Sequence, residues 1–278
     1  MLTVIKCGGG AGQDPVHVSP DVAALTARGD RVLVLHGGSA SVDHLAGRLG
    51  VPQRRLCTPS GTSSRYTDPA TLEVLLLALA GQVKPMLLAD LHRHGVAAIG
   101  LTGIDVGVLQ ARRRSVHTAE LDGRRVVVRD DQTGTLTAVR TGPLHALMDA
   151  GLVPVLSPPA IAEDGLPVNV DADRAAAAVA VALGAENLIF LTGAPGLLAD
   201  PDDETTVLAE HRLTDGGSRI AGGMAVKLKA AEVALRGGVG QVLIADGRVQ
   251  GPVLRALGGL STRLRLDPPA VPIATTAI

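Results

Sequence analysis

The sequence predicts an α/β protein in which helices cover both faces of a mainly parallel sheet, a three-layer αβα sandwich. Short apolar runs alternate along the chain with longer Ala- and Leu-rich segments, as in repeated βα units. Five runs have no polar alternation and are followed closely by Gly, Ser or Pro, which is typical of strands buried on both faces. They cover residues 2–6, 32–35, 97–101, 152–156 and 187–192.

The composition is that of a folded protein with one large domain or two lobes. The chain has 278 residues, of which 46% are hydrophobic and 19% charged. One Phe, one Tyr and no Trp leave the core to small aliphatic side chains and exclude aromatic stacking on nucleic-acid bases. A formal net charge of -1 provides no global field that would attract nucleic acid or an anionic membrane.

The sequence gives no indication of export or membrane insertion. The first residues run into glycines without the basic and apolar regions of a signal peptide. Uncharged stretches such as residues 150–162 are shorter than the roughly 20 residues that span a bilayer. We therefore expect a cytoplasmic protein in which Cys7 and Cys57 are free thiols.

Capping and breaking residues define two predicted helices. Asp68 and Pro69 are typical of an N-cap and a first-turn proline, and they open a helix that should end at Gly95 with a kink at Pro85. Residues 174–183 are nearly all Ala and Val, so they predict a helix that packs against the sheet.

Two segments depart from the βα pattern. Residues 112–139 alternate in short strands around an Asp122-Gly123 turn, which predicts an antiparallel β-hairpin insertion projecting from the body. The stretch from Asp267 onward is proline-rich and aperiodic, and we expect a loosely attached tail there.

Three glycine-rich turns follow predicted strands, at residues 8–12, 37–39 and 193–196. Such turns let backbone amides approach an anion at a helix N-terminus. A single turn is explained by tight-turn geometry, but three in one α/β protein predict a phosphate or carboxylate site. Walker, Rossmann, serine-hydrolase and zinc motifs are absent from the sequence, and no metal-ligating residues are predicted.

Lysine is rare in this chain, with four residues against 22 arginines. Lys6 ends the first strand and Lys227 closes a Gly-Gly-Met-x-x-Lys segment, where a compact point charge fits better than a guanidinium fork. Asp171 and Asp173 precede the Ala-rich helix. Each is either a helix N-cap or an acid that orients lysines or a metal.

Seven motifs occur in an order that resembles the amino acid kinase family, over roughly residues 1–265. They are Val4-Ile5-Lys6-x-Gly8-Gly9, His36-Gly37-Gly38, Ser64-Arg65-Tyr66-Thr67-Asp68, Ile99-Gly100-Leu101-Thr102-Gly103, Asn169-Val170-Asp171-Ala172-Asp173, Gly222-Gly223-Met224-x-x-Lys227 and Asp246-Gly247-Arg248. The resemblance implies a substrate-binding half at residues 1–168 and an ATP-binding half at 169–278.

The resemblance also implies phosphoryl transfer from ATP, with Mg²⁺, to a side-chain carboxylate, giving an acyl phosphate. Carried over by motif, Lys6 and Lys227 would be the cations that flank the transferred phosphoryl group, and Asp173 would hold both lysines in place. Gly9 and Gly38 would offer backbone amides to the phosphoryl oxygens. A loose phosphoryl transition state requires positioning and distributed positive charge of this kind.

On the substrate side, the resemblance assigns Gly37, Gly38, Arg65 and Asn169 to the acidic substrate, with Arg65 and Asn169 on the carboxylate near its α-carbon. The Asp171 motif and the Ser64-Arg65 pair depart from acetylglutamate kinases, which usually carry a second Asn and Leu-Arg at these positions. Both departures resemble the branch that phosphorylates 2-aminoadipate attached to an amino-group carrier protein in lysine-type biosynthesis.

Clustered arginines in the insertion predict the surface where an acidic carrier would dock, because charge complementarity guides such encounters. They are Arg112, Arg113, Arg114, Arg124 and Arg125. A solvated charged face is the alternative interpretation. For the whole protein, the alternatives are N-acetylglutamate kinase of arginine biosynthesis and a non-catalytic ligand sensor on the same fold. The resemblance further implies a homodimer.

Overall fold

The computed structural model describes residues 1–10, 12–57, 63–114, 116–121, 123–213, 220 and 222–267. Its strands are β1 (Leu2–Cys7), β2 (Arg31–His36), β3 (Arg55–Cys57), β4 (Ser63–Arg65), β5 (Ala98–Gly103), β6 (Leu109–Arg113), β7 (His117–Leu121), β8 (Arg124–Val128), β9 (Gly134–Val139), β10 (Val153–Ala162), β11 (Pro167–Val168), β12 (Asn187–Thr192), β13 (Glu210–Leu213), β14 (Gln241–Asp246) and β15 (Thr262–Leu266). Its α-helices are α1 (Ser19–Ala27), α2 (Ser39–Leu49), α3 (Pro69–Ala78), α4 (Lys84–Arg93), α5 (Thr141–Asp149), α6 (Ala172–Ala182), α7 (Gly222–Arg236) and α8 (Pro252–Leu257).

Eleven of the described strands form one sheet in the order β13-β15-β14-β12-β1-β2-β10-β6-β9, and β5 and β11 also pair with β10. The pairings from β14 through β12, β1 and β2 to β10 are all parallel, so these strands end at the same edge of the sheet. Helices α5, α6 and α7 contribute to the core on one face, and α1, α4 and α8 to the core on the other. The predicted αβα sandwich is confirmed.

Side-chain alternation along β1 determines which residues face each helical layer. Leu2 and Val4 pack with α6, whereas Ile5 and Cys7 pack with α1 and α4. Because successive side chains of a strand point to opposite faces, Lys6 lies on the same face as Val4, toward α6. The position of Lys6 in the strand therefore determines that its side chain faces the helical layer that contains α6.

All five predicted strands are present, but β5 differs in burial. Most of its residues are half-buried rather than buried on both faces. The reason is its position: β5 pairs only with β10, so it lies at an edge of the sheet. The sheet continues from β10 to β12 without interruption, and the division into halves at residue 168 therefore stays a prediction.

The predicted helix after Asp68 is present, and it continues past Pro85. Asp68 accepts a hydrogen bond from the Thr71 amide at 2.8 Å, and the helical residues run from Pro69 to Arg93. A π-helical turn at Leu79–Val83 lies directly before Pro85, and the kink there stays a prediction. Because Pro85 has no N–H for the carbonyl four residues earlier, the wider turn accommodates the missing bond.

The same helix, Pro69–Arg93, is the one helix in the described chain that is long and apolar enough to cross a membrane by length and composition. Its position in the fold explains part of that apolar character. Leu87 and Leu91 are fully buried in the core formed with α1 and the sheet.

The insertion at residues 112–139 is antiparallel, but it does not project alone. β6 and β9 belong to the main sheet, whereas β7 and β8 pair with β3 and β4 in a second, four-stranded sheet. Leu56 of β3, Tyr66 and the hairpin residues Ala119 and Val128 bury one another, which explains the attachment. Asp122 of the predicted turn lies outside the described residues, as does the predicted tail beyond Asp267.

The cap of α3 gives a stability prediction. Replacing Asp68 with Ala removes the acceptor for the Thr71 amide and the ion pair to Arg54 at 3.1 Å, and should lower the free energy of unfolding by about 1 kcal/mol. The control Asp68→Asn keeps the capping oxygen and should lose less than half as much. Urea denaturation of both variants measures the difference, and equal losses would show that capping is not the source.

Candidate functional site

The glycine turns meet at the edge where β1, β2 and β12 end. Parallel pairing places Cys7 beside His36 at the ends of β1 and β2, and Lys6 beside Phe190 of β12. The turns that follow these strands are therefore neighbours. The first two turns are packed tightly against each other, since a Cβ atom on Gly9 would lie 2.2 Å from the Gly38 nitrogen.

Glycine is required at position 9 by this contact between backbones. Besides the Gly38 nitrogen, the added carbon would lie 2.5 Å from the Gly38 Cα, and neither atom can rotate away. The Gly9 carbonyl in turn accepts hydrogen bonds from the Ala40 amide at 2.7 Å and the Ser39 hydroxyl at 2.8 Å. These bonds tie the first turn to the N-terminus of α2.

Asp173 forms ion pairs with two lysines on the α6 side of this edge. Its Oδ1 lies 2.8 Å from Lys6 Nζ, and its Oδ2 lies 2.7 Å from Lys227 Nζ. The side chains of Lys6, Asp173 and Lys227 are only 6%, 8% and 14% exposed. β1, α6 and α7 each supply one member, so three residues that are distant in sequence form one buried triad.

Burial and mutual attraction compete in setting the protonation of the triad. Burial alone would lower the pKa of Lys6, but the adjacent Asp173 carboxylate raises it above its ordinary value. Burial would also raise the pKa of Asp173, yet the two lysines hold it below its usual range. The pKa of Lys227 is lowered by burial and then by repulsion from Lys6. With both lysines protonated, the triad has one positive charge in excess, which suits an anionic ligand.

Of the two acids predicted either to cap the Ala-rich helix or to orient the lysines, each has one of these roles. Asp171 is the N-cap of α6, and its carboxylate accepts from the Arg174 amide at 2.9 Å. Asp173 lies in the first turn of the helix, where its side chain faces β1 and the lysines. One acid therefore starts the helix and the other joins the site.

Arg65 and Asn169 lie on a connected strip beside the glycine turns. Arg65, at the end of β4, contacts Asp43 Oδ1 at 2.6 Å, the Gln53 side chain and the Ser39 carbonyl oxygen at 3.4 Å. Its side chain is only 13% exposed. These contacts hold the guanidinium beside the start of α2.

Asn169 is joined to the same strip through Thr67. Its side-chain amide donates to the Thr67 hydroxyl at 3.0 Å, and its backbone bonds with Gln132 and Gly134. The buried Asp131 accepts from the Thr67 amide at 3.2 Å and the Thr133 hydroxyl at 2.6 Å. Arg65 and Asn169, which are 104 positions apart in sequence, are thus linked through Thr67, whose hydroxyl also donates to the Arg65 carbonyl at 3.3 Å.

The arginines of the predicted docking surface are not one cluster. Arg113 is half-buried and binds Asp164 at 2.8 Å through Nε, so its guanidinium is engaged by a residue of the same chain. Arg112 and Arg114 are exposed near the base of the β7–β8 hairpin, and Arg124 and Arg125 are exposed at its tip. The five-residue length of β7 separates base and tip by about 15 Å.

Several groups near this edge of the sheet have functional contacts that no sequence motif predicts. Asp43 and Gln53 hold Arg65, and the buried Lys84 donates from Nζ to the Leu101 carbonyl at 2.5 Å. Burial lowers the pKa of Lys84 to about 8. Lys84 could have been singled out by the scarcity of lysine in the chain, whereas Asp43 and Gln53 carry no comparable signal.

Comparisons with known proteins give the same family as the sequence motifs. The sequence profile of the amino acid kinase family matches residues 1–246. The LysW-aminoadipate kinase of Thermus thermophilus is 39% identical over 269 residues, covering 95% of this chain and 100% of that protein. The acetylglutamate kinase of Frankia alni is 38% identical over 257 residues, covering 90% of this chain and 72% of that one.

A solved structure with a similar fold is the N-acetylglutamate synthase of Neisseria gonorrhoeae, in complex with coenzyme A and N-acetyl-glutamate. It superposes with a TM-score of 0.75 at 26% identity. The alignment covers 96% of this chain and 60% of the synthase chain. Nearly the whole of the present chain therefore corresponds to a part of that larger protein.

The contact between Gly9 and Gly38 predicts an asymmetry within the first glycine turn. Gly9→Ala forces two backbones apart and should destabilise the protein by about 2 kcal/mol, a typical cost of overpacking. Gly10→Ala is the matched control, because its Cβ would meet only the flexible Gln13 side chain, at 2.9 Å. Thermal and urea unfolding compare the two, and a Gly10 variant that loses as much as the Gly9 variant would contradict this account.

Proposed function

Because this chain belongs to the amino acid kinase family, we propose that it transfers the γ-phosphoryl group of ATP to the distal carboxylate of 2-aminoadipate, or a similar acidic amino acid, presented on an acidic carrier protein. The observation that carries the proposal is the buried Lys6–Asp173–Lys227 triad at the edge where Gly9 and Gly38 meet. The LysW-aminoadipate kinase that matches almost the whole chain supports the choice of substrate.

The chain is a phosphotransferase with a carboxyl group as acceptor. In the proposed reaction a carboxylate oxygen attacks the γ-phosphorus, the bond from that phosphorus to the ADP oxygen breaks, and an acyl phosphate and ADP result. No strong base is required, since the attacking carboxylate is already ionised at neutral pH. The protein's contribution is to position the two reactants and stabilise the charge that spreads over the phosphoryl oxygens.

Lys6 and Lys227 are proposed to supply that stabilisation as two fixed cations. Asp173 engages both ammonium groups, which holds them at a set separation before any ligand arrives. Fixed charges in a buried site need little reorganisation when the transition state forms. Gly9 and Gly38 are proposed to add backbone amides to the phosphoryl oxygens, and the close packing of their two turns leaves no room for a side chain at either residue.

Mg²⁺ is proposed to enter with the nucleotide phosphates. Within the described residues, no group of three or more His, Cys, Asp or Glu side chains stands together to hold a metal. Asp173 is occupied by two lysines. Mg²⁺ commonly keeps several waters and binds through substrate phosphates, which fits this donor set.

Arg65 and Asn169 are proposed to bind the acidic substrate near its α-carbon, together with Gly37 and Gly38. A guanidinium fork matches the planar geometry of a carboxylate. Asp43 and Gln53 orient the fork, and Thr67 orients the Asn169 amide. The substrate end of the site is thus held by side-chain contacts, and the phosphoryl end by the triad and the glycine turns.

The carrier is proposed to dock at the tip of the β7–β8 hairpin. Arg124 and Arg125 lie on β8, at one side of the four-stranded sheet whose other side, β4, carries Arg65. An extended substrate arm could therefore run from the tip to Arg65 along one rigid sheet. Arg112 and Arg114 remain weaker candidates at the base, and the internal contacts of Arg113 with Asp164 make it unsuitable.

The second candidate is N-acetylglutamate phosphorylation in arginine biosynthesis, which the Frankia relative favours. The coverage favours the first candidate, since the Thermus enzyme is matched over its full length and the Frankia enzyme over 72%. A non-catalytic sensor remains the third candidate, and the complete triad argues against it. A cytoplasmic location and a homodimer complete the proposal.

Removing either lysine should abolish most of the turnover. Lys6→Met or Lys227→Met should lower kcat by a hundredfold or more, on the order of 3 kcal/mol of transition-state stabilisation, with a smaller change in ATP affinity. Lys229→Met is the control, because Lys229 is 67% exposed and pairs with Glu232 on the surface. Steady-state ATP turnover measures the effect, and near-normal kcat in both site variants would refute the assignment.

The choice of substrate is tested by comparing carrier-linked 2-aminoadipate with free N-acetylglutamate. Charged contacts at a docking surface are screened within about 8 Å at physiological salt, so rising salt should weaken turnover of the carrier-linked substrate. Arg124→Glu with Arg125→Glu should raise its KM at least tenfold, and Arg112→Glu with Arg114→Glu should change it less. Kinetics of the free amino acid should respond to neither pair.

The opposite outcome of the substrate comparison would also be informative. Efficient phosphorylation of free N-acetylglutamate, together with no calorimetric binding of an acidic carrier protein, would favour the second candidate. Loss of turnover on both substrates in the Arg124–Arg125 variant would instead indicate a folding defect, which circular dichroism of the variant would detect.

A further inference from the structure

His36 is a buried histidine at the end of β2, directly before the Gly37–Gly38 turn. It has no solvent exposure. Its Nδ1 lies 2.9 Å from the carbonyl oxygen of Gly37. A carbonyl oxygen only accepts, so Nδ1 carries the proton in this contact and donates it.

The surroundings of His36 keep the ring neutral. Burial, and then the positive charges of Lys84 and Lys6, lower its pKa to about 4, although the bond to Gly37 opposes the change. Nε2 is buried and has no hydrogen-bond partner within the described structure. A neutral ring with its proton on Nδ1 is therefore the form present at physiological pH.

The bond to His36 fixes the direction of the next amide. In a trans peptide the C=O and the following N–H point in opposite directions, so a Gly37 carbonyl turned toward His36 turns the Gly38 N–H away from it. Val32, Val34 and His36 alternate onto the α1 and α4 face of β2. The Gly38 N–H is thus directed toward the opposite face, where the lysine triad lies.

Neighbouring contacts prevent the turn from relaxing. The Gly37 amide donates to the Cys7 carbonyl at 3.2 Å, and the Gly38 carbonyl accepts from the Val42 amide at 2.9 Å. The π-helical turn closes the remaining side, since a Cβ on Gly38 would lie 2.5 Å from Leu79 Cδ2. Within the peptide that joins Gly37 to Gly38, the carbonyl oxygen is therefore held by the His36 imidazole.

We propose that His36 is a positioning residue that aims the Gly38 amide at the transferred phosphoryl group. The proposal rests on the proposed phosphotransfer at this site. His36 touches no reacting atom. It acts through one hydrogen bond that sets the plane of the Gly37–Gly38 peptide, and through it the direction of one donor in the phosphoryl-binding turn.

Two polar substitutions separate this role from simple filling of space. His36→Asn places an N–H donor where Nδ1 stands, whereas His36→Gln places one near Nε2 and leaves the Gly37 carbonyl without a donor. His36→Leu fills the volume with no donor at all. The Gln and Leu variants should lose roughly tenfold or more in kcat, and the Asn variant should stay within about threefold of wild type. In the Gln variant, kcat should fall by a larger factor than the KM for the acidic substrate rises.

A substrate-independent readout distinguishes this inference from the proposed substrate. ADP with aluminium fluoride and Mg²⁺ mimics the transferred phosphoryl group and needs no acidic amino acid. Calorimetry should show weaker binding of this complex in the Gln variant than in the Asn variant, with similar binding of ADP alone. If wild type binds the mimic yet phosphorylates no carrier-linked substrate, the proposed substrate fails while the His36 comparison still stands.

Three results would overturn the role of His36. Equal kcat in the Asn and Gln variants would show that donation at Nδ1 is not the cause. Wild-type kcat in the Leu variant would show that no donor is required. Equal binding of the aluminium fluoride complex in the Asn and Gln variants would separate His36 from the phosphoryl site. If the Leu variant does not fold, the Asn and Gln pair decides alone.

Discussion

The arrangement of the site depends on one carboxylate that is shared by two buried ammonium groups. Without Asp173, Lys6 and Lys227 would repel each other in a region that water barely reaches. With it, three charges from β1, α6 and α7 hold each other in place. The alternation of side chains along β1 makes this possible. Lys6 points toward α6 because Leu2 and Val4, at every second position before it, face the same helix. The alternation of side chains that buries Leu2 and Val4 thus also directs the Lys6 ammonium group into the site.

The features predicted correctly from the sequence are those with local causes. A strand followed by glycine, an aspartate before a proline and an Ala-rich segment each specify their conformation within a few residues. The fold class follows, because alternating strands and helices leave few arrangements. The gathering of Lys6, Asp173 and Lys227 was also expected, but from the order of motifs rather than from local physics.

The features that were missed depend on contacts between distant segments. Arg113 looked like part of an exposed cluster, yet it binds Asp164, a residue 51 positions away in sequence. The hairpin looked like an isolated projection, but apolar residues on β3 complete its core. In each case the structure depends on a residue far away in sequence, which the local sequence pattern does not contain.

The four-stranded sheet has a geometric consequence for whatever bridges its two edges. Arg65 stands on β4, and Arg124 and Arg125 stand on β8, with β3 and β7 between them. Three inter-strand spacings amount to about 14 Å, and hydrogen bonds between backbones make that distance difficult to change. The sheet therefore holds its two edges at a fixed separation. A ligand held at both edges must match its length, so selectivity for the reach of a molecule can be set by the number of strands and not by the shape of a pocket.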